Sequence, residues 1–297
     1  MVLLTVVATL SASMVWQQWR AVQVEAAERS RTQSAWILMG ALDWARLILR
    51  EHRSTYTSLN DTWAQPLAEA RLSTFLAADR DNNVDSGPEA FLSGRIEDAQ
   101  ARYNLRNLAQ PDPKLAAVEL KVLERLCQTA GVPTSVADAL AQGLRAAWAG
   151  TDAQAPLEPK RFEDLAWLGI DAATLAQLQP WITLLPEAAP VNLNTASREV
   201  LAAVIEGIDL GSADRLVLAR QRGPFKTADD AKNQLPDSVK LDPARVTVNS
   251  TFFEVHGRLR LDERVLEESS LVHKRSANDV TTIRSIRTAA FLPRAGG

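Results

Sequence analysis

The side chains that most often carry metal or nucleophilic chemistry are few in this chain. Its three histidines, His52, His256 and His273, have no second histidine, cysteine or acidic cluster near them at the spacing of metal ligands, so a zinc site is not expected. The single cysteine, Cys127, lies in an apolar helical run. A buried thiol without reactivity is the simplest interpretation of that position.

Paired carboxylates, which serve many hydrolases, occur only as neighbours in the sequence. Glu97 precedes Asp98 and Asp229 precedes Asp230, and adjacent side chains point in different directions, so solvated or capping roles are simpler. The sequence also lacks a G-x-x-x-x-G-K phosphate loop, a G-x-S-x-G elbow and a dinucleotide fingerprint. We therefore predict that the chain is not an enzyme. An anchored enzyme stays as an alternative that would need a cleft with paired carboxylates.

The composition is that of an ordinary globular protein. Its 33 Lys and Arg against 36 Asp and Glu give a net charge of -3, which provides no electrostatic footprint for nucleic acid or anionic lipid. A length of 297 residues allows one large domain or two ordinary ones.

Before these domains the sequence has an uncharged run from Met1 to Trp19. It is about long enough to cross a ~30 Å hydrocarbon layer, although its Thr, Ser and Gln residues make it a marginal membrane span. No proline occurs before Pro66, so one helix of about fifty residues, ~75 Å long, is predicted. A plain membrane anchor and a filament-forming helix of the pilin kind are the two interpretations. The second half of the helix carries an apolar stripe, which includes Leu38, Leu42, Ala45 and Leu49.

The sequence pattern divides the rest of the chain into three segments. Residues 53–110 mix strands and turns, with a solvated turn at 79–88 and core contacts expected at Ile96, Tyr103 and Leu105. Residues 111–245 are helical, and residues 246–297 return to strands, with a strand at 251–261 and a partner strand near 280–286.

Within residues 190–236 the sequence predicts three short helices. Asn194 or Thr195 is the expected cap of the first and Ser212 of the second. Thr227 caps the third, with Asp230 completing a capping box.

Five segments together resemble a known family. They are the N-terminal helix, GRIEDAQARYNLRNL, FEDLAWLGIDAATLAQLQPWITLLP, VNLNTASREVLAAV and TFFEVHGRLRL, in this order. The chain resembles general secretion pathway protein K, the large minor pseudopilin of type II secretion systems. The resemblance implies an α+β, pilin-like fold, in which a long N-terminal helix lies on a small antiparallel sheet and a large all-α domain is inserted. The implied division is 1–52 for the helix, 53–110 for the first pilin-like part, 111–245 for the insert and 246–297 for the second pilin-like part.

The resemblance also implies a function and a location. Members of the family cap or initiate a short periplasmic pseudopilus, in a complex with the minor pseudopilins I, J and H. Contacts with the major pseudopilin, the secretin channel and the exported protein would follow. The chain would be a single-pass protein of the Gram-negative inner membrane with most of its residues in the periplasm, and nucleic acid is not an expected partner.

Residue roles follow from the same resemblance. If Met1 is the first mature residue, it is the site of processing and methylation; a mis-assigned start codon is the alternative. Family precursors are cut before the helix, and ordinary pilins then carry Glu at the fifth mature position, where this chain has Thr5. A subunit with none above it needs no such carboxylate, because an unpaired buried charge costs several kcal/mol. The residues expected to pack in the filament or membrane are Leu3, Leu4, Thr5, Val6 and Leu10, and those expected to contact partner helices are Leu38, Leu42, Ala45 and Leu49.

A calcium site is common in the family but poorly matched here. Relatives carry an acidic D-W-I-D-x-D segment, whereas this chain has RAAWAGTDAQAPLEPKRFEDL, in which only Asp152 and, more loosely, Glu158 offer oxygen ligands. We therefore expect no cofactor.

A second resemblance leads to a different function. The segment from Val191 to Phe225 is similar to the helix-hairpin-helix module of membrane-anchored DNA-uptake receptors. Residues 191–235 carry six acidic and six basic side chains, so phosphate would be repelled about as often as attracted. DNA binding is therefore kept only as the alternative function.

Overall fold

The computed structural model describes residues 2–72, 90–150, 155–261 and 264–291. The predicted turn at 79–88 lies outside these residues, as do Met1 and Asp152.

The predicted long helix is confirmed as α1, Val2–Glu51, which is 50 residues long. It has no proline, and its one glycine, Gly40, has no atom within 4 Å of the position where a Cβ would lie. Because nothing interrupts the backbone hydrogen bonds, the helix continues as one element from its apolar beginning to the folded part of the chain.

The second half of α1 packs on an antiparallel sheet. Among the described residues this sheet has five strands in the order β1-β2-β7-β8-β9. Their bounds are Leu67–Arg71 for β1, Ala90–Asp98 for β2, Phe252–Leu261 for β7, Arg264–Lys274 for β8 and Val280–Phe291 for β9. The predicted strands β7 and β9 are confirmed, but their expected pairing is wrong, because β8 lies between them and pairs with both.

Apolar side chains fix α1 on the sheet. Leu38 packs with Leu92 and Leu259, while further along the helix Ala45 and Leu49 pack with a group of strand residues and Trp63. Burying a side chain of this size stabilises a fold by about 1.5–3 kcal/mol. The predicted stripe is therefore the inner face of α1, and its neighbours in this chain are β2, β7 and β8.

A helical region interrupts the order of the sheet strands between β2 and β7. Its helices are α2 Pro113–Thr129, α3 Ser135–Ala149, α4 Ala172–Leu178, α5 Arg198–Val204, α6 Leu210–Arg222 and α7 Ala228–Lys232. Four two-residue strands form two parallel pairs beside them: β3 Tyr103–Asn104 with β4 Ile182–Thr183, and β5 Val191–Asn192 with β6 Val246–Thr247. The core of this region begins at Tyr103, before the predicted boundary at residue 111, and extends to Val246.

The capping box of α7 is confirmed, since Thr227 and Asp230 exchange both hydrogen bonds. The other two predicted caps are wrong. Ser197 caps α5 and Asp209 caps α6.

The first wrong cap has a clear physical reason. Asn194 is used elsewhere, because its side chain exchanges hydrogen bonds of 2.9 and 2.8 Å with the backbone of Phe225. The hydroxyl of Thr195 donates instead to Asp98, 2.6 Å away. Both side chains therefore hold segments that are distant in the sequence, and neither one caps the helix that follows.

A buried polar cluster joins the helical region to the sheet, and we call it the joint. It consists of Asp98 at the end of β2, Asn192 and Thr195 from the helical region, and Ser250 just before β7. Asp98 is only 5 % exposed and caps the turn that follows it, so of the two expected roles, solvated or capping, the capping role is confirmed. The other three side chains are tied to this one carboxylate, which fixes where the chain leaves the sheet and where it returns.

Candidate assembly surface

The first half of α1 has no part of the described chain packed against it. Every side chain that the structure describes from residue 7 to residue 26 is exposed. Many of these side chains are large and apolar: Val7, Leu10, Met14, Val15, Trp16, Trp19, Val22 and Val24. Contiguous apolar surface of this extent indicates contact with protein or lipid, since single apolar residues on a surface are ordinary but long apolar surfaces are not.

Charged residues appear along α1 only after this apolar part. Arg20 is the first, and its guanidinium lies 5.8 Å from the ring centroid of Trp16. Glu25 and Arg29 then form an exposed ion pair of 2.8 Å one turn apart. Among the helices of the described residues, none is long and apolar enough to meet the criterion for a membrane span.

The four residues expected to contact partner helices lie in the second half of α1, on the face that is turned toward the sheet. Leu38, Ala45 and Leu49 are 2 %, 6 % and 0 % exposed in the chain's own core. Leu42 is half-buried and lines an apolar cleft of about 310 Å³ between α1 and the sheet. The three buried side chains have no surface left for another helix, so a partner role for them would require α1 to leave the sheet. That role stays a prediction.

The opposite face of the second half of α1 carries apolar side chains that the sequence reasoning did not single out. We call this group the outer stripe, and its members are Trp36, Met39, Trp44 and Leu47, which are 42–66 % exposed. At 3.6 residues per turn Trp36 and Leu47 lie opposite the buried residues of α1. Met39 and Trp44 lie on the two flanks, and Trp44 also borders the cleft between α1 and the sheet. Trp36 and Trp44 were the available signal, because tryptophan is costly to expose without a partner. A charged and polar stretch at 25–35 separates the outer stripe from the apolar surface of the first half of α1.

A second group of functional side chains lies on the face of the sheet that is turned away from α1. Glu97 of β2 lies directly opposite Glu254 of β7, and Arg95 lies opposite His256. The imidazole Nε2 of His256 is 3.5 Å from a Glu97 oxygen and 3.7 Å from a Glu254 oxygen. Arg102 approaches Glu254 to 2.7 Å. The structure therefore gathers two carboxylates around one imidazole, which the sequence reasoning missed because β2 and β7 are far apart in the chain.

Charges in this group change one another's pKa. The facing His256 lowers the pKa of Glu97 to about 2, against burial, which would raise it. Burial raises the pKa of Glu254, but His256 and Arg102 outweigh it and lower that pKa to about 2. Burial lowers the pKa of His256, yet the two carboxylates raise it to about 8. Both carboxylates are therefore ionised at neutral pH.

Comparison with known proteins agrees with this architecture. Two family models, both described as type II secretion system protein K, match residues 101–187 and 191–249. Over these two segments the chain is similar to the type II secretion system protein K family. It is 28% identical over 296 residues to "Type II secretion system protein K" of Pseudomonas aeruginosa, an alignment that covers 89% of this chain and 83% of that protein.

A solved structure shows the same fold. It is "The Crystal Structure of the GspK-GspI-GspJ complex from enterotoxigenic Escherichia coli Type 2 Secretion System", and one of its chains matches with a TM-score of 0.66 at 18% identity. The match covers 88% of this chain and 98% of that one. The expected fold, a long helix on an antiparallel sheet with an additional helical region, is confirmed.

The residues predicted to pack in the filament or membrane lie at the start of α1. The backbones of Leu3, Leu4, Thr5 and Val6 belong to α1, but their side chains are outside what the structure describes. Leu10 is 61 % exposed, in keeping with a packing residue of an assembly.

The two calcium candidates do not form a described site. Asp152 lies outside the described residues. Glu158 is half-exposed and lies 3.2 Å from the guanidinium of Arg106. One carboxylate supplies far fewer than the six to eight oxygen ligands that calcium takes, so nothing in the described geometry favours calcium at this position.

The helix-hairpin-helix-like segment uses its basic groups internally. Arg198 pairs with Glu199 at 2.9 Å and with Asp214 at 3.5 Å. Arg220 donates to the carbonyl of Leu193 at 2.7 Å, and burial lowers its pKa to about 10. Arg220 is held away from solvent, and the exposed Arg198 is already paired with two carboxylates, so neither arginine supports DNA binding.

Proposed function

We propose that this chain is a minor pseudopilin that assembles through α1 with smaller pseudopilins at the tip of the type II secretion pseudopilus. There it starts or caps the filament that serves protein export across the outer membrane. The observation that carries this proposal is the exposed apolar surface of α1. This surface covers the first half of the helix and returns as the outer stripe beyond the polar stretch at 25–35, while the inner face holds the rest of the protein.

Helices with such a surface associate by packing apolar side chains against equivalent helices. The fixed inner face matters as much as the exposed one, because it prevents the outer stripe from turning inward. The related solved structure is a complex of GspK with GspI and GspJ, which supports the corresponding pseudopilins as partners here. Pseudopilin H, the major pseudopilin, the secretin channel and the exported protein are further partners that we propose on the family resemblance alone.

The position at the tip is supported by bulk and by charge. The helical region adds a second core, from Tyr103 to Val246, to the helix-on-sheet part. Such a subunit would interrupt the close packing of a shaft but not its end. Thr5 in place of a glutamate is also suited to an end position, where no neighbouring amine would need a carboxylate. We propose the inner membrane for α1 and the periplasm for the rest of the chain.

The proposal is tested by co-purification from cells that express the chain with pseudopilins I and J of the same organism. We choose Leu47→Asp in the outer stripe, because Leu47 is 50 % exposed and its replacement leaves the core intact. Leu218→Asp is the matched control, since Leu218 is 51 % exposed on α6. Leu47→Asp should abolish recovery of the partners, and Leu218→Asp should not.

Two results would contradict the proposal. Equal recovery of the partners with both variants would show that the outer stripe is not the interface. Normal export of secreted proteins by cells that contain only the Leu47→Asp chain would show that its assembly is not needed. Leu38→Asp is unsuitable as a test, because it would place a charge in the chain's own core.

A further inference from the structure

The sheet has a second functional face, the one turned away from α1. Phe253 and Val255 of β7 point into the core under α1, so Glu254 and His256 point to the opposite side. Glu97 joins them from β2. These three side chains offer two carboxylate oxygens and one imidazole nitrogen that lie within 4.8 Å of one another.

We propose that Glu97, Glu254 and His256 bind a first-row divalent metal ion, with zinc as the ion that suits them best. Zinc takes imidazole nitrogen at about 2.0–2.1 Å and carboxylate oxygen at about 2.0–2.2 Å, in tetrahedral geometry. Two ligands on such a tetrahedron are about 3.4 Å apart. The imidazole nitrogen of His256 lies 3.5 and 3.7 Å from its two carboxylate oxygens, close to the spacing of zinc ligands. The three ligand atoms lie within 4.8 Å of one another, and the Glu254 oxygen must also exchange its 2.7 Å contact with Arg102 for the metal.

Hydrogen bonding around the three side chains supports the same assignment. His256 Nε2 is buried and has no hydrogen-bond partner in the structure, although two carboxylates face it. One oxygen of Glu97 accepts a 2.5 Å hydrogen bond from Arg95, and its other oxygen is the one that faces His256. Ligating carboxylates are commonly held in this way by a second shell of hydrogen bonds. A metal ion would replace the two long contacts of this nitrogen, 3.5 and 3.7 Å, with a direct bond.

The site is also accessible from solvent. A half-open cleft of about 420 Å³ on this face is lined by Arg95, His256 and Arg258, among other residues. The cleft borders His256 but neither Glu97 nor Glu254, and the half-exposed side chain of Glu97 gives an ion its access from solvent.

Charge and donor type determine which ion and what affinity to expect. Arg95 and Arg102 offset the two carboxylates, so the site holds an ion less tightly than an uncompensated one would, and micromolar affinity is expected. Calcium prefers six to eight oxygen ligands, which a nitrogen and two carboxylates do not supply. The metal would tie β2 to β7 immediately before Asp98, and thus beside the joint.

The experiment uses the full chain, purified in detergent at mildly alkaline pH so that the imidazole is neutral. Zinc is titrated against a chromophoric chelator, and cobalt(II) is added separately to follow the visible spectrum of a metal bound to nitrogen and oxygen. His256→Gln and Glu97→Gln remove ligands. His273→Gln is the matched control because His273 faces only one carboxylate, that of Glu187, at 3.6 Å. Glu267→Gln is the second control, an exposed carboxylate paired with Arg258 on the same sheet.

The expected result is one zinc equivalent per chain, with affinity reduced at least about tenfold by each ligand variant and unchanged by each control. Glu97 is half-exposed, so its variant should fold, and circular dichroism checks this directly. The proposal is overturned if no stoichiometric zinc is bound, if His273→Gln weakens binding as much as His256→Gln, or if equimolar calcium displaces the zinc.

Discussion

Replacing Asp98 by asparagine tests whether the joint holds the helical region on the sheet. The Asp98 carboxylate accepts hydrogen bonds from the backbone N–H of Gln100 at 2.8 Å, Asn192 at 3.0 Å, Thr195 at 2.6 Å and Ser250 at 2.7 Å. An asparagine keeps one oxygen for Gln100 but turns an amide NH₂ toward the other three donors.

The loss of unfolding free energy depends on whether each of the three donors still finds a hydrogen-bond acceptor. The hydroxyls of Thr195 and Ser250 can rotate and accept, so each loses only part of a bond. Asn192 cannot turn over, because its own amide oxygen accepts a 2.9 Å bond from the N–H of Asn194. Its Nδ2 keeps the Thr57 carbonyl oxygen at 3.2 Å and the Ser250 hydroxyl at 2.8 Å as acceptors, so it loses one bond to a charged group without being left unpaired. That lost bond and the weakened hydroxyl bonds bring the expected loss of unfolding free energy to about 1.5–3 kcal/mol.

The loss should also depend on pH. Burial raises the pKa of Asp98 above its unfolded value near 4, although its four donors act in the opposite direction. A raised folded pKa stabilises the native protein fully below the unfolded pKa, and this contribution is lost as pH rises through the folded pKa. The difference between wild type and Asp98→Asn, which does not titrate, should therefore be largest near pH 4 and smaller at neutral pH.

The measurement is urea unfolding followed by tryptophan fluorescence at several pH values, with the exposed Asp237→Asn as control. Acid effects from other groups cancel in the difference between each variant and wild type. The reasoning fails if Asp98→Asn costs no more than Asp237→Asn, or if its cost is the same at every pH at which the wild type is folded.

Three further outcomes are expected. Leu49→Ala should lower the unfolding free energy by about 2–5 kcal/mol in the same urea assay, because Leu49 on the inner face of α1 is 0 % exposed. A loss below about 1 kcal/mol would show that α1 is not anchored there. Gly94→Ala should lower the stability by about 1–3 kcal/mol more than Gly257→Ala. The new Cβ at position 94 would lie 2.8 Å from the His256 carbonyl oxygen, whereas the new Cβ at position 257 would meet a movable leucine methyl at 3.2 Å. Equal thermal midpoints of the two variants would contradict this. Cys127 is buried, and burial raises its pKa to about 11, so a thiol reagent should label the chain only after urea is added, and rapid labelling of the native chain would be inconsistent with this core position.

Much of the architecture could be predicted because periodic apolar residues signal helices and strands directly. The inner face of α1, the strand β7 and the helix α2 all follow from such patterns. Such a pattern did not predict strand β8, since Glu268 and Ser270 occupy inward positions where apolar residues are normal. Glu268 is buried only because Arg287 on β9 pairs with it, and pairing between strands cannot be read from either strand alone.

The clusters of polar side chains could not be predicted from the sequence for the same reason. The joint combines residues from the end of β2, the helical region and the start of β7, so no local spacing reveals it. Glu97, Glu254 and His256 meet only through the register of β2 on β7. Caps such as Thr227 with Asp230 were predictable because both partners lie within one turn of helix.

The unbroken geometry of α1 has a mechanical consequence. A straight helix without proline resists bending, and here its last turns are fixed to the sheet by Ala45 and Leu49 while its first turns extend beyond the folded part of the chain. Pulling or rotating the first turns therefore displaces the sheet as a rigid body and does not stretch a flexible tether. Because the joint ties the sheet to the helical region, that movement would reach residues far from where the force is applied.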